Sequence, residues 1–152
     1  MSRKRLTGAL IIVLATLAGA FRDYLFVNLN YQIDALANHR RISYAHSDFR
    51  AAVVGLDAYT LTVVKWASAA LFILAMLGAA ILLSRVLFGD QRYRRPIVIA
   101  TMTIAAVSLA CHAMTAWSPA FEGVSIALSH AIQYPVPLLF IYAASLAPPA
   151  RS

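Results

Sequence analysis

The side chains best able to do chemistry in this sequence are two histidines, His112 and His130, together with Glu122 and Gln133 nearby. Imidazole nitrogens bind metals and exchange protons near neutral pH, and a carboxylate or an amide beside them would orient a polar ligand. Earlier in the chain, Asp23 and Lys65 add one acidic and one basic group. The candidate residues of a polar ligand site are therefore Asp23, Lys65, His112, Glu122, His130 and Gln133.

The spacing of the histidines matches no metal, haem or catalytic motif. No HExxH zinc motif, GxSxG nucleophile or phosphate-binding glycine loop occurs in the sequence. If the chain turns near Pro119, His112 and His130 lie about 6 Å apart along the helix axes, whereas haem held between two helices needs ligands at matching depth. Ser129 and His130 are adjacent, so on a helix they point about 100° apart and cannot act as nucleophile and base. The sequence predicts no metal and no cofactor, indicates no catalytic residue, and disfavours an enzyme.

The composition places these residues in a membrane protein. Hydrophobic residues make up 61% of the 152 residues and charged residues 12%, whereas soluble domains contain about 45–50% and about 25% respectively. The net charge of +7 would suit a nucleic-acid partner, but the basic residues flank long apolar runs, as they do beside membrane helices. Cys111 is the single cysteine, which excludes an intramolecular disulfide and a CxxC redox pair. We expect membrane lipids as partners and no nucleic acid.

Four stretches are apolar enough to cross a bilayer, which requires about 20 residues for each helix. They predict helices at approximately 6–27, 50–88, 96–117 and 121–146. The expected fold is an all-α integral membrane protein, a four-helix bundle that forms a single transmembrane domain over residues 1–152. Pro135 and Pro137 interrupt the fourth helix, because each removes a backbone donor and leaves the carbonyl four residues earlier without its helical partner.

The first stretch also fits a second interpretation. Residues 2–5 are mostly basic, residues 6–17 are mostly apolar and residues 18–20 are small, which is the order of a cleavable signal peptide. The apolar character resumes at residues 24–27, and this favours a retained helix. Retention of the first helix and removal of residues 1–20 both stay open.

The distribution of lysine and arginine predicts the orientation. With the N-terminus inside, eight basic residues flank the inner side: Arg3, Lys4, Arg5, Arg85, Arg92, Arg94, Arg95 and Arg151. The outer side has three, Arg40, Arg41 and Arg50. Because short cytoplasmic flanks carry an excess of basic residues, both termini are expected in the cytoplasm, and the membrane is expected to be the bacterial inner (plasma) membrane.

The loop between the first two helices, about 30 residues over 28–60, is the one sizeable segment expected outside the membrane. Ser47 or Asp48 is a candidate N-cap, since short polar side chains accept hydrogen bonds from the first free amides of a helix. The second helix is therefore expected to begin near Asp48 and to project beyond the bilayer.

Each predicted helix has one polar or small face, which is typical of bundles packed through small residues and interhelical hydrogen bonds. The faces consist of Thr16, Asp23 and Asn30 in the first helix, Thr62, Lys65 and Ser68 in the second, Thr101, Ser108, His112 and Thr115 in the third, and Glu122, Ser125, Ser129 and Gln133 in the fourth. With the predicted orientation, the ionisable groups of the spans lie in the outer half of the membrane, which predicts an outward-facing polar cavity. Arg22, Lys65 and Glu122 also lie near enough to the boundary for their charged ends to reach it.

No motif specifies an activity. The favoured function is a non-enzymatic subunit of a membrane complex or a homo-oligomer, because faces such as Ala15-x-x-x-Gly19 and Ala75-x-x-x-Ala79 allow close packing of helices. The alternative is a small transporter or ligand-binding membrane protein that uses the outer cavity around His112, His130 and Gln133. The ligand, the partner and the oligomeric state stay open.

Overall fold

Six helices make up the part of the chain that the structure, a computed structural model, describes, namely residues 3–146. They are α1 (Arg3–Ala37), α2 (Ser47–Ala52), α3 (Ala58–Phe88), α4 (Arg94–Met114), α5 (Ala120–Gln133) and α6 (Val136–Leu146). No β-strand occurs within residues 3–146. Arg151, which belongs to the basic residues counted above, lies outside the described range.

Three of these helices, α1, α3 and α4, are long and apolar enough to cross a membrane. The pair of α5 and α6 passes the same test only when taken together, and the two helices are bent by 52° relative to each other. Residues 3–146 are therefore all-helical in class and contain three candidate membrane spans, or four if the bent pair forms one span. This confirms the predicted helical class and supports the membrane assignment.

Helix α1 is longer than the sequence predicted. It contains 35 residues, about 52 Å at the usual rise, whereas the hydrocarbon core of a bilayer is about 30 Å thick. It ends where His39, with φ of 49°, occupies the left-handed conformation. The amides of His39 and Arg40 donate to the carbonyls of Leu36 and Ala35 at 3.3 and 2.8 Å, which is the Schellman arrangement that closes a helix.

The buried face of α1 is not the polar one that the sequence indicated. Thr16 and Asn30 are exposed and Asp23 is half-buried. The buried residues recur instead at alternating spacings of three and four, as in helices that pack side by side. This series consists of Ala15, Gly19, Arg22, Phe26 and Leu29, and Gly8, Asn28 and Ala35 are buried as well.

The predicted second helix, 50–88, is divided in the structure. Helix α2 begins at Ser47, close to the expected start, but its N-cap is His46 and no side chain caps it, so the assignment of Ser47 or Asp48 as N-cap was wrong. Gly55 lies between α2 and α3, where the backbone turns out of the helical conformation with φ of 84°. Glycine adopts this φ without strain. Asp57 then caps α3, accepting the amide hydrogen of Thr60 on Oδ1 at 2.8 Å. Hydrogen bonds from the Thr60 side chain and from its backbone amide lower the pKa of the Asp57 carboxyl from its ordinary value of 3.8.

The fourth predicted helix is interrupted at its prolines. Tyr134, the residue before Pro135, is extended with φ of −107° and ψ of 163°, because the proline ring disfavours helical geometry in the preceding residue. The proline effect expected from the sequence is therefore confirmed, and α6 begins again at Val136.

The residues group into two compact units, one comprising residues 18–72 and the other the described parts of 1–17 and 73–152. We refer to them as the loop unit (18–72) and the hairpin unit (3–17 and 73–146). The prediction of a single transmembrane domain stays a prediction.

In the loop unit, the segment after α1 folds back along that helix. The backbone amide of His46 donates to Oδ1 of the buried Asn28 at 2.6 Å. The Tyr31 and Tyr44 rings lie 6.0 Å apart.

In the hairpin unit, Gly8 of α1 allows a close approach. A Cβ placed there would lie 3.1 Å from Leu87 Cδ2 and 3.3 Å from Leu83 Cδ1, so a larger residue would force these side chains to move.

Candidate functional site

Two predicted site residues, Asp23 and Lys65, lie in the loop unit. Asp23 Oδ1 forms an ion pair with Arg22 Nη1 at 3.0 Å. Both residues of this pair belong to α1. Lys65 is half-buried on α3.

Arg22 differs from its expected behaviour. Its side chain is only 8% exposed, and the guanidinium carbon lies 4.5 Å from the centroid of the Phe26 ring. Phe26 in turn packs edge-on against Phe72 of α3, with 6.2 Å between the ring centroids. The charged end of Arg22 is therefore held in an aromatic environment by a cation–π contact rather than extended into water.

Three serines join α4 to α5 in the hairpin unit, as the predicted polar faces required. Ser108 Oγ donates to the Ser125 carbonyl at 2.9 Å, and Ser125 Oγ donates to the Ser108 carbonyl at 2.9 Å. Ser129 Oγ lies 2.7 Å from Ser108 Oγ. Because the single hydroxyl hydrogen of Ser108 is used towards Ser125, Ser129 is the donor in this second contact. We call Ser108, Ser125 and Ser129 the serine lock.

The other four predicted site residues do not share one environment. Gln133 is buried at the end of α5, with 3% of its surface exposed. His112, Glu122 and His130 are exposed on α4 and α5. The His130 ring lies 5.5 Å from the ring of Tyr134. The outward-facing polar cavity around His112, His130 and Gln133 stays a prediction, since the two cavities described below are lined by other residues.

The serine lock also fixes the relative depth of the two histidines. With Ser108 level with residues 125–129, His130 lies about 10 Å further from the α4–α5 turn than His112 at 1.5 Å per residue. This offset of about 10 Å is larger than the offset of about 6 Å expected from a turn at Pro119. The two histidines are therefore even less suited to bind one haem from opposite sides. Within residues 3–146, no group of three or more histidine, cysteine, aspartate or glutamate side chains could hold a metal ion.

An apolar cavity of about 380 Å³ lies beside the break between α5 and α6. Its lining includes Met76, Leu77 and Ala80 of α3, Ile97, Ala100, Thr101 and Ile104 of α4, and Ala131, Ile132, Val136 and Pro137 around the break. The carbonyl of Ala131 lacks its helical donor, because residue 135 is a proline. The volume falls within the range of about 300–1,000 Å³ that small-molecule sites occupy.

A second, polar cavity of about 160 Å³ lies at the turn between α3 and α4. It is lined by Ile81, Ser84, Arg85, Asp90, Gln91 and Arg94. We call it the arginine cavity, because Arg85 and Arg94 are both exposed at its mouth.

No protein-family model, curated protein or solved structure matches this chain. The function must therefore be argued from its own geometry.

Sequence reasoning missed both cavities. In the sequence, the arginines of the second cavity indicate only the orientation, because charge counting does not say which of them face a common space. The apolar cavity has one sequence signal, the two closely spaced prolines. These predict an interruption of the helix, but the direction of the bend depends on packing that no local pattern encodes.

Proposed function

We propose that this chain is a non-enzymatic subunit or homo-oligomer of a complex in the bacterial inner membrane, with four crossings and both termini in the cytoplasm. The proposal takes α5 and α6 together as the fourth crossing. Seven of the eight basic residues assigned to the inner side fall within the described range, at the N-terminus of α1 and around the turn between α3 and α4. An excess of this kind favours the cytoplasmic side.

The observation that carries the proposal is the exposed face of α5. Gly123, Ala127 and Ala131 recur at intervals of four and are all exposed, and beside them lies the exposed side chain of His130. Small residues let two backbones approach, and polar groups form hydrogen bonds between membrane helices. We call these four residues, Gly123, Ala127, His130 and Ala131, the association face.

The position of His130 adds a physical reason for a partner at this face. His130 is the eleventh residue of the bent pair, so it lies about 15 Å from the start of α5, near the middle of a crossing. A polar side chain at this depth normally faces protein or water rather than lipid. A second helix packed on the association face would shield it from lipid.

The test compares two glycine substitutions that are matched in their local surroundings. A Cβ at Gly123 or at Gly78 of α3 would meet nothing within 4 Å, so a leucine at either position does not clash inside the chain. Gly123→Leu would block a close helix approach at the association face, whereas Gly78→Leu would alter only α3. We expect the first variant alone to lose the assembly seen by native mass spectrometry in mild detergent and by cross-linking in membranes.

The masses distinguish the two kinds of partner, because a homo-oligomer gives multiples of the 16.5 kDa chain and a complex gives an added subunit. The proposal fails if the wild-type protein is monomeric both in membranes and in detergent. It also fails if Gly123→Leu associates as strongly as the wild-type protein.

Two finer points of the proposal have their own tests. Trypsin added to the periplasmic side should cleave after Arg40 or Arg41 and spare Arg92 and Arg94, and the reverse pattern would overturn the orientation. The intact mass of the membrane-bound protein decides whether residues 1–20 are removed. The burial of Gly19 within the continuous helix α1 supports their retention.

A further inference from the structure

The arginine cavity and the apolar cavity lie along the same pair of helix faces. On α3, the residues that line them are Met76, Leu77, Ala80, Ile81, Ser84 and Arg85, a series that repeats every four residues and therefore forms one stripe. Ala80 lines the apolar cavity, and its neighbour Ile81 lines the arginine cavity.

Helix α4 shows the same continuity. Arg94 lines the arginine cavity, and Ile97, Thr101 and Ile104 line the apolar cavity, at intervals of three and four residues. The two cavities thus form successive parts of one groove between α3 and α4. From Arg94 to Ile104 the groove extends about 15 Å along the helix axis.

The polar end of this groove is strongly basic. Arg85 and Arg94 line it, and Lys4 Nζ lies 4.0 Å from the position that a Cβ on Gly89 would occupy. The one acidic group, Asp90, accepts the Arg92 amide at 3.0 Å and lies 3.5 Å from Arg92 Nε, so its charge is already compensated. The cavity therefore has an uncompensated positive charge from Arg85 and Arg94.

The other end has the opposite character. Apart from the Thr101 hydroxyl and backbone groups, the residues named above that line the apolar cavity have hydrocarbon or thioether side chains. An occupant that matches the whole groove must be anionic at one end and hydrocarbon over about the next 10 Å, the rise from Ile97 to Ile104. An anionic phospholipid has this distribution, since arginines bind phosphate with paired hydrogen bonds and basic pockets between membrane helices accept acidic headgroups.

We propose that the groove between α3 and α4 binds one anionic phospholipid, with its phosphate between Arg85 and Arg94 and an acyl chain in the apolar cavity at the α5–α6 break. This site shares only Ala131 with the association face, and it does not depend on the proposed assembly. It gives the bend between α5 and α6 a role, because the bend borders the space that the acyl chain fills.

The test uses the full-length protein purified in mild detergent, with dioleoyl phosphatidylglycerol, dioleoyl phosphatidylcholine and inorganic phosphate as probes. Native mass spectrometry counts bound lipid, and thermal unfolding measures protection. We expect phosphatidylglycerol to bind one per chain and to raise the melting temperature more than phosphatidylcholine. Equal effects of the two lipids would overturn the charge argument, and equal protection by inorganic phosphate would indicate a free-phosphate site instead.

Two variants locate the polar end of the site. Arg85→Gln with Arg94→Gln should weaken phosphatidylglycerol binding by about tenfold or more, since each basic group near a membrane surface contributes several-fold. Arg95→Gln, which removes a neighbouring exposed arginine that does not line the cavity, should leave binding nearly unchanged. Equal losses in the two cases would show general attraction to the surface and refute the site.

The apolar end is tested by Ala100→Leu, which fills the cavity, with Ala106→Leu as the control. Ala106 is exposed on the same helix and lines neither cavity. We expect loss of the retained lipid only in the first variant. Full retention of phosphatidylglycerol by Ala100→Leu would overturn the placement of the acyl chain. This comparison does not require the arginine variants, so it tests the proposal even if those variants fail to fold.

Discussion

The serine lock provides the sharpest measurement of what holds α4 and α5 together. Ser108→Ala removes the hydroxyl that donates to the Ser125 carbonyl and accepts from Ser129. Hydrogen bonds between membrane helices contribute on average about 0.6 kcal/mol each, with a maximum of about 1.7. Two lost bonds therefore predict a loss of about 1.2 kcal/mol in the free energy of unfolding.

Part of this loss can be recovered within α5. The Ser125 carbonyl is four residues before Ser129, so the freed Ser129 hydroxyl can turn and donate to it, as serines in helices often do. This rearrangement would restore one bond, and the expected cost of Ser108→Ala falls between about 0.6 and 1.2 kcal/mol. Ser125→Ala removes one donor towards the Ser108 carbonyl and should cost about 0.6 kcal/mol.

The assay is reversible unfolding in mixed micelles with increasing dodecyl sulfate, followed by circular dichroism. Ser145→Ala is the control, because Ser145 donates only to the Tyr142 carbonyl of its own helix. The reasoning is refuted if Ser108→Ala is no more destabilising than Ser145→Ala.

Three further predictions concern the loop unit and its helix ends. Asp57→Ala should lower the melting temperature, whereas Asp57→Asn, which can still cap α3, should have a smaller effect. Because the pKa of Asp57 is lowered in the folded protein, the stabilisation by its carboxylate is present above about pH 4 and is lost as the pH falls through the folded pKa. Equal melting temperatures of the wild-type protein and Asp57→Ala at pH 7 would contradict the role of the cap. His39→Gly should stabilise the protein by about 1 kcal/mol, because glycine adopts the left-handed conformation at the end of α1 without strain; a lower melting temperature would show that the His39 side chain contributes more than its backbone costs. Asn28→Leu deprives the His46 amide of its acceptor and should speed tryptic cleavage after Arg50. Asn38→Leu, which removes bonds only to Asp34, should not speed this cleavage. Equal cleavage rates in the two variants would argue against Asn28 as the residue that anchors the segment around His46.

The helical class and most of the apolar spans could be predicted from the sequence, because about 20 consecutive apolar residues have few alternatives to crossing a bilayer. The contact between the polar faces of α4 and α5 could also be predicted, since the 100° periodicity places Ser108 opposite Ser125 once a short turn joins the two helices. These inferences depend only on local spacing and on the cost of unsatisfied polar groups in lipid.

The remaining features depend on packing between segments distant in the chain. Arg22 was expected to extend to the membrane boundary, yet it is buried because Phe26 and Phe72 provide an aromatic surface that no local pattern reveals. The continuation of α1 to Ala37 depends on the return of residues 44–46 along the helix, which covers Asn28. The length of an apolar run predicts neither feature, because Arg22 and Asn28 both interrupt that run.

The bend between α5 and α6 leads to a final prediction that links the fold to the proposed lipid groove. Helix α6 has 11 residues, about 16 Å, so a bend of 52° displaces its far end by about 13 Å from the line of α5. Replacing Pro135 and Pro137 with alanine restores the two missing amide donors and favours a straighter helix.

Because Val136 and Pro137 line the apolar cavity on the far side of the break, straightening would remove part of its wall. The double alanine variant should therefore retain phosphatidylglycerol less well than the wild-type protein, although its helix propensity is higher. Pro96→Ala, in the first turn of α4 where proline costs little, is the matched control and should retain the lipid. If the double variant keeps the lipid as tightly as Pro96→Ala does, the bend does not form the site.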